Sequence, residues 1–203
     1  MEKNCENQTI EIKLLTLGDS SVGKSSFIIK FIDGKFSYNY IATMGLDFKQ
    51  KIIQLNNGEL VKLRIFDTAG QERFKSISIN FIKKANGILL LYDITNKSSF
   101  ESVNKWIESI RQVGEEKISI VLVGNKCDLE KERKISLEEG QAKAAEFDLP
   151  FFESSCKDGI NIKDAFVKLS EEIIKKNGPN LGKIGEKITK EKAKKENKKK
   201  GCC

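Results

Sequence analysis

Nine residues near the start of the chain, Gly18-Asp19-Ser20-Ser21-Val22-Gly23-Lys24-Ser25-Ser26, contain the spacing GxxxxGK[ST]. Glycines there let a backbone wrap closely around an anion, and the N–H groups of the turn and of a following helix donate to it. Lys24 is spaced to reach the β- and γ-phosphates of a nucleoside triphosphate, and Ser25 to offer a hydroxyl to Mg²⁺. The motif does not choose the base. A second cluster, Asp67-Thr68-Ala69-Gly70-Gln71-Glu72, follows a β-rich run. An aspartate there holds Mg²⁺, usually through water, while Gly70 lets backbone approach a γ-phosphate and Gln71 orients an attacking water. A third, Asn125-Lys126-Cys127-Asp128, selects guanine. The Asp128 carboxylate accepts from N1–H and the 2-amino group, a pattern adenine lacks, so adenine would leave a buried carboxylate unpaired. Asn125 is expected to tie this loop to the phosphate-binding loop, and the Lys126 stem to lie along the base. In Ser155-Cys156-Lys157 the backbone N–H of Cys156 is a donor for guanine O6. Thr43 has a hydroxyl and a carbonyl for Mg²⁺ and the γ-phosphate when GTP is bound.

These groups need elements to hold them. Residues 10–17 read as a strand and 23–32 as a helix, so the first motif bridges strand and helix as its chemistry requires. Residues 46–55 and 58–66 read as two strands joined through Asn56-Asn57-Gly58, a hairpin signal. Residues 87–93 and 118–124 are nearly continuous apolar runs, the pattern of strands buried on both faces. Residues 151–153 form the last strand. Residues 98–113, 136–147 and 161–176 read as covering helices, the second opening on a capping box, Ser136 with Glu139. The alternation predicts an α/β fold: a mostly parallel six-stranded sheet with one antiparallel strand and helices on both faces.

Composition narrows the function classes. The chain has 203 residues, enough for one domain and a tail. It contains no histidine, which excludes His-based triads and His metal sites. Its five cysteines include no CxxC pair, so a disulfide framework is not expected. The polar N-terminus shows no secretory leader, and Glu2 after Met1 excludes N-myristoylation. Nine lysines and three glutamates between 183 and 203 account for six of the seven net positive charges. Such a segment buries too little apolar surface to order itself. The expected organisation is therefore a flexible N-terminus (1–9), a nucleotide-binding domain (10–176) and a disordered basic tail (177–203). Cys202 and Cys203 end the chain without a CaaX box. They are either a thiol pair on a flexible end or a prenylation site, and the lysines before them favour the lipid.

Together, residues 18–25, 67–72, 125–128 and 155–157 resemble the Ras superfamily of small GTPases, with a P-loop GTPase fold. Met44-Gly-Leu-Asp-Phe48, Lys62-Leu-Arg-Ile-Phe66, Arg73-Phe-Lys-Ser-Ile-Ser78, Leu91-Tyr-Asp-Ile-Thr95 and the final cysteine pair resemble its Rab branch. The resemblance implies a slow GTP hydrolase working with Mg²⁺, with Lys24, Gln71 and Thr43 as its catalytic residues. It implies a membrane-anchored monomeric switch in vesicle trafficking; a signalling switch of another branch is the alternative. Ser25, Thr43 and Asp67 would hold the metal, and Phe36 would pack against the guanine. Switch I (about 36–48) and switch II (about 67–81) would respond to the γ-phosphate. Implied partners are exchange factors, GTPase-activating proteins, a GDP-dissociation inhibitor, effectors and the cytoplasmic leaflet of an intracellular or plasma membrane, with no nucleic acid. Phe48, Phe66 and Phe81 resemble an effector-face aromatic triad, although Phe66 replaces the usual Trp and Phe81 the usual Tyr. Cys156 replaces a usual Ala; a backbone contact to guanine would survive that change.

Overall fold

A computed structural model describes residues 9–37, 46–68, 81–113, 118–178, 181 and 183–184. Among these residues there are seven strands: β1 (Thr9–Leu17), β2 (Leu46–Gln54), β3 (Leu60–Thr68), β4 (Gly87–Asp93), β5 (Ser119–Asn125), β6 (Phe151–Ser154) and β7 (Lys183–Ile184). The described helices are α1 (Lys24–Asp33), α2 (Lys97–Val113), α3 (Leu137–Glu146) and α4 (Ile162–Asn177). Six strands lie in the order β2-β3-β1-β4-β5-β6. β2 runs antiparallel to β3, and the pairings β3–β1, β1–β4, β4–β5 and β5–β6 are parallel. The expected six-stranded sheet is thus present.

The apolar runs form central strands because successive side chains serve opposite faces. In β4, Leu89 and Leu91 enter one core, with Phe27, Phe31 and Phe166 of α1 and α4. Ile88, Leu90 and Tyr92 enter the other, with Val103 and Ile107 of α2 and Ala144 of α3. β5 divides in the same way, Val121 and Val123 against Ile120 and Leu122. Every residue of β4 and β5 is buried. Phe31 stacks on Phe166 at 3.8 Å between ring centroids, which locks α1 to α4.

Two local signals took different forms. The capping box is as expected: Ser136 Oγ accepts from Glu139 N, and Glu139 Oε2 accepts from Ser136 N. The hairpin uses a longer turn than a two-residue Asn-Gly. Leu55 N donates to Glu59 O at 2.9 Å and Gly58 N to Leu55 O at 3.0 Å, while Asn57 Oδ1 accepts from Glu59 N.

The described fold also continues beyond residue 176, where the sequence suggests that the domain ends. β7 pairs antiparallel with β1, Ile184 opposite Thr9 and Lys183 opposite Ile10. Leu181 is buried in the α1–α4 core. Burial of Leu181 and the backbone pairing of β7 with β1 together tie this short segment to the domain.

Candidate functional site

The C-terminal ends of the parallel strands line up as a row. Asp93 of β4 pairs with Asn125 of β5, and Asn125 with Ser154 of β6. Ligands of open α/β sheets bind along this edge. The glycine-rich loop leaves it from Leu17 and enters α1 at Lys24. The loop lies tightly on its neighbours. A Cβ on Gly18 would come 2.1 Å from Leu91 O, and one on Gly23 would come 2.4 Å from Asn125 Nδ2. No side chain fits at either place. Ser20 and Ser21 are exposed at the crest of the loop, and Val22 is fully buried under it. Ser21 adopts φ 63°, left-handed backbone that a non-glycine residue occupies only when its surroundings impose it.

Lys24 is 5% exposed. Its Nζ donates to Gly18 O at 2.8 Å and Asp19 O at 2.6 Å. A buried ammonium needs such acceptors, and these hold it across the mouth of the loop. Ser25 and Ser26 follow in the first turn of α1, both partly buried. Asp67 stands near the end of β3, also buried, one step beyond the pairing of Leu15 with Phe66. A serine hydroxyl and a carboxylate are hard oxygen donors. So small a set suits Mg²⁺, which keeps waters and phosphate oxygens in its shell. Among the described residues no group of three or more His, Cys, Asp or Glu could hold a metal alone.

Asn125 joins three segments. Its Nδ2 donates to Val22 O at 2.8 Å. Its Oδ1 accepts from Ser154 Oγ at 3.1 Å and from Cys156 Sγ at 3.5 Å. This is the tie between loops that the sequence suggests. Ser155 Oγ donates to Asp128 Oδ1 at 2.7 Å and accepts from Asp158 N at 3.0 Å, so the carboxylate is oriented by the neighbouring loop. Cys127 N donates to Ser154 O and completes the connection. Lys126 Nζ pairs with Asp93 Oδ2 at 2.6 Å. Burial pushes the Cys156 thiol up to about 12 and raises that of Cys127. Both therefore stay protonated near neutral pH, and neither acts as a thiolate nucleophile. Lys157 is exposed, and its carbonyl accepts from Lys30 Nζ. Phe36 is half-buried against the α1–α4 core. Thr43, Gly70, Gln71, Cys202 and Cys203 lie outside the described residues.

Sequence reasoning missed three residues here. Asp93 is the partner of Lys126, Ser154 orients Asn125, and Trp106 of α2 donates from Nε1 to Asp19 Oδ1 at 2.8 Å. The available signal was indirect: a carboxylate within a glycine-rich loop proposed to hold phosphate needs a donor to hold it.

The sequence pattern of the Ras family matches residues 13–175. The chain belongs to the Ras family. The GTP-binding protein ypt2 of Schizosaccharomyces pombe is 46% identical over 164 residues, 81% of this chain and 82% of that one. Rab-10 of Diplobatis ommata is 45% identical over 164 residues, 81% and 82% of the two chains. Rab-8B of Dictyostelium discoideum is 42% identical over 165 residues, 81% of each. This member of the Ras family is accordingly a Rab-like small GTPase, a GTP hydrolase of vesicle trafficking. The signalling alternative is not favoured. On the β2–β3 face of this Rab-like protein, Phe48, Phe66 and Phe81 form a row with centroids 6.2 and 5.7 Å apart, Phe48 being 49% exposed.

Proposed function

We propose that guanine nucleotide sits along this strand edge, with phosphates in the loop 18–25 and the base between Asn125–Asp128 and Ser155–Lys157. The observation that carries the reading is the Asn125 side chain, which links the phosphate loop to both base-reading loops. Asp128, oriented by Ser155, accepts from guanine N1–H and the 2-amino group. The Cys156 N–H donates to O6, and the Lys126 stem and Phe36 flank the base. Lys24 and the amides of 20–25 bind the phosphates and stabilise the charge that develops on them during hydrolysis. Ser25, Asp67 and Thr43 hold Mg²⁺, which neutralises charge on the β- and γ-phosphates when bound. Gln71 orients the attacking water. Relatives of this kind that rely on an arginine from a partner turn over slowly by themselves, at ~10⁻⁴ s⁻¹, and the same slow intrinsic rate is expected here.

Cys202 and Cys203 carry prenyl groups in this reading. With the lysine-rich tail they hold the protein on the cytosolic face of an intracellular or plasma membrane. Among the described residues no helix is long and apolar enough to cross one. Exchange factors, activating proteins, a GDP-dissociation inhibitor and effectors act on the switch segments. Phe66 and Phe81 lack the indole N–H and phenol O–H of the usual residues, so an effector meets a row with no side-chain hydrogen-bond donors.

The experiment is a nucleotide competition. Asp128→Asn should weaken GDP binding at least about tenfold and raise affinity for xanthosine diphosphate, whose 2-oxo group suits a carboxamide donor. Unchanged guanine preference would remove Asp128 from base reading.

A further inference from the structure

We propose that Trp106 is a positioning residue for the phosphate-binding loop, acts through Asp19, and sets how long bound nucleotide stays. The inference rests on the nucleotide site described above. Asp19 puts a carboxylate inside the turn that must accept a polyphosphate, and like charges a few ångströms apart near a protein surface repel appreciably. The indole Nε1 of Trp106 donates to Asp19 Oδ1 at 2.8 Å. A bond to a charged acceptor is stronger than a neutral one. It holds the carboxylate on the α2 side of the loop.

The donor is itself well anchored. Trp106 lies on α2 beside Val103, Ile107 and Ile110, which are buried in the core under β4, and the indole packs against that same core. Asp19 also has a second duty, because its carbonyl accepts from Lys24 Nζ at 2.6 Å. One residue therefore carries a carboxylate that opposes phosphate and a carbonyl that orients the lysine which attracts it. Turning Asp19 would release the first and displace the second. The indole prevents that turn. Nothing in the spacing of the sequence joins position 106 to position 19.

The test uses the full chain loaded with a fluorescent GDP analogue, whose release is followed after excess unlabelled GDP is added. Trp106→Phe keeps an aromatic ring in the helix face and removes the donor together with one ring of the indole, and an Asp19→Asn background separates the two losses. Its release should be about tenfold faster, the equivalent of losing one hydrogen bond to a charged group. The acceleration should shrink at 1 M salt, where the screening length is about 3 Å. In an Asp19→Asn background the same substitution should change release by less than about twofold, because no charge remains to be held. Folding is checked by circular dichroism, since Trp106 is the chain's only tryptophan. Release unchanged by Trp106→Phe overturns the proposal. Equal acceleration in both backgrounds also overturns it, since Trp106 would then act by packing alone. Failure of the unsubstituted chain to bind GDP would overturn the site reading itself, a result distinct from either.

Discussion

Cys156 stands where three effects meet. Its thiol touches Asn125 Oδ1 at 3.5 Å, is 4% exposed and is pushed by burial from an ordinary 9.0 up to about 12. The unfolded chain ionises this group near 9, whereas the native chain keeps its proton to about 12. The native state binds more protons between those values, so the group's contribution to stability is complete below 9 and is lost as pH rises toward 12. Cys156→Ala removes that linkage. Its melting temperature, followed from pH 8 to pH 11, should fall less steeply than that of the unsubstituted chain; parallel curves would assign the alkaline loss to other groups. GDP affinity should change little, because the proposed contact to the base is through the backbone. Residue type and spacing singled out Asn125, Asp128 and Lys24 as candidate site residues. Ser154, Asp93 and Trp106 were not singled out, because their importance lies in what they touch 29, 33 and 87 positions away.

Elements were legible where local chemistry and burial agreed. The Ser136–Glu139 box needs only four consecutive residues to satisfy two backbone donors, so it is readable from sequence and is present at α3. Ser136→Ala should cost about 1 kcal/mol. For a domain of this size that lowers the melting temperature by roughly 2–4 °C. A loss below half a degree would mean that packing, not the cap, sets the start of α3. The start of α4 was less readable. Asn161 holds φ 54° with no side-chain cap, and its Nδ2 donates instead to Glu153 O at the end of β6. That residue ties the end of β6 to the start of the helix, a role that no local propensity announces. The hairpin turn differs for a related reason: Asn57 Oδ1 accepts from Glu59 N and widens the loop.

At the scale of the molecule, the strand edge bearing the proposed nucleotide site and the start of the basic tail lie at opposite ends of β1. The loop begins after Leu17, and β7 pairs at Thr9 and Ile10. Nine strand residues separate them by about 27 Å. A fluorescent tag on the N-terminus tests the anchor: the intact chain should mark one membrane compartment, and a Cys202→Ser/Cys203→Ser chain should be diffuse. Identical patterns would exclude prenylation as the anchor. By itself the sequence determined the layers of this protein and marked which loops are candidates for nucleotide chemistry. Continuous apolar strands can only be central, and GxxxxGK[ST], Asp67 and Asn125–Asp128 are local patterns whose spacing is the information. Only the tertiary structure decided which side chains hold those loops in place. The bonds from Asn125 to Val22, from Trp106 to Asp19 and from β7 to β1 join residues 103, 87 and about 175 positions apart. Their geometry is set by how two cores pack against one sheet, which no stretch of sequence contains.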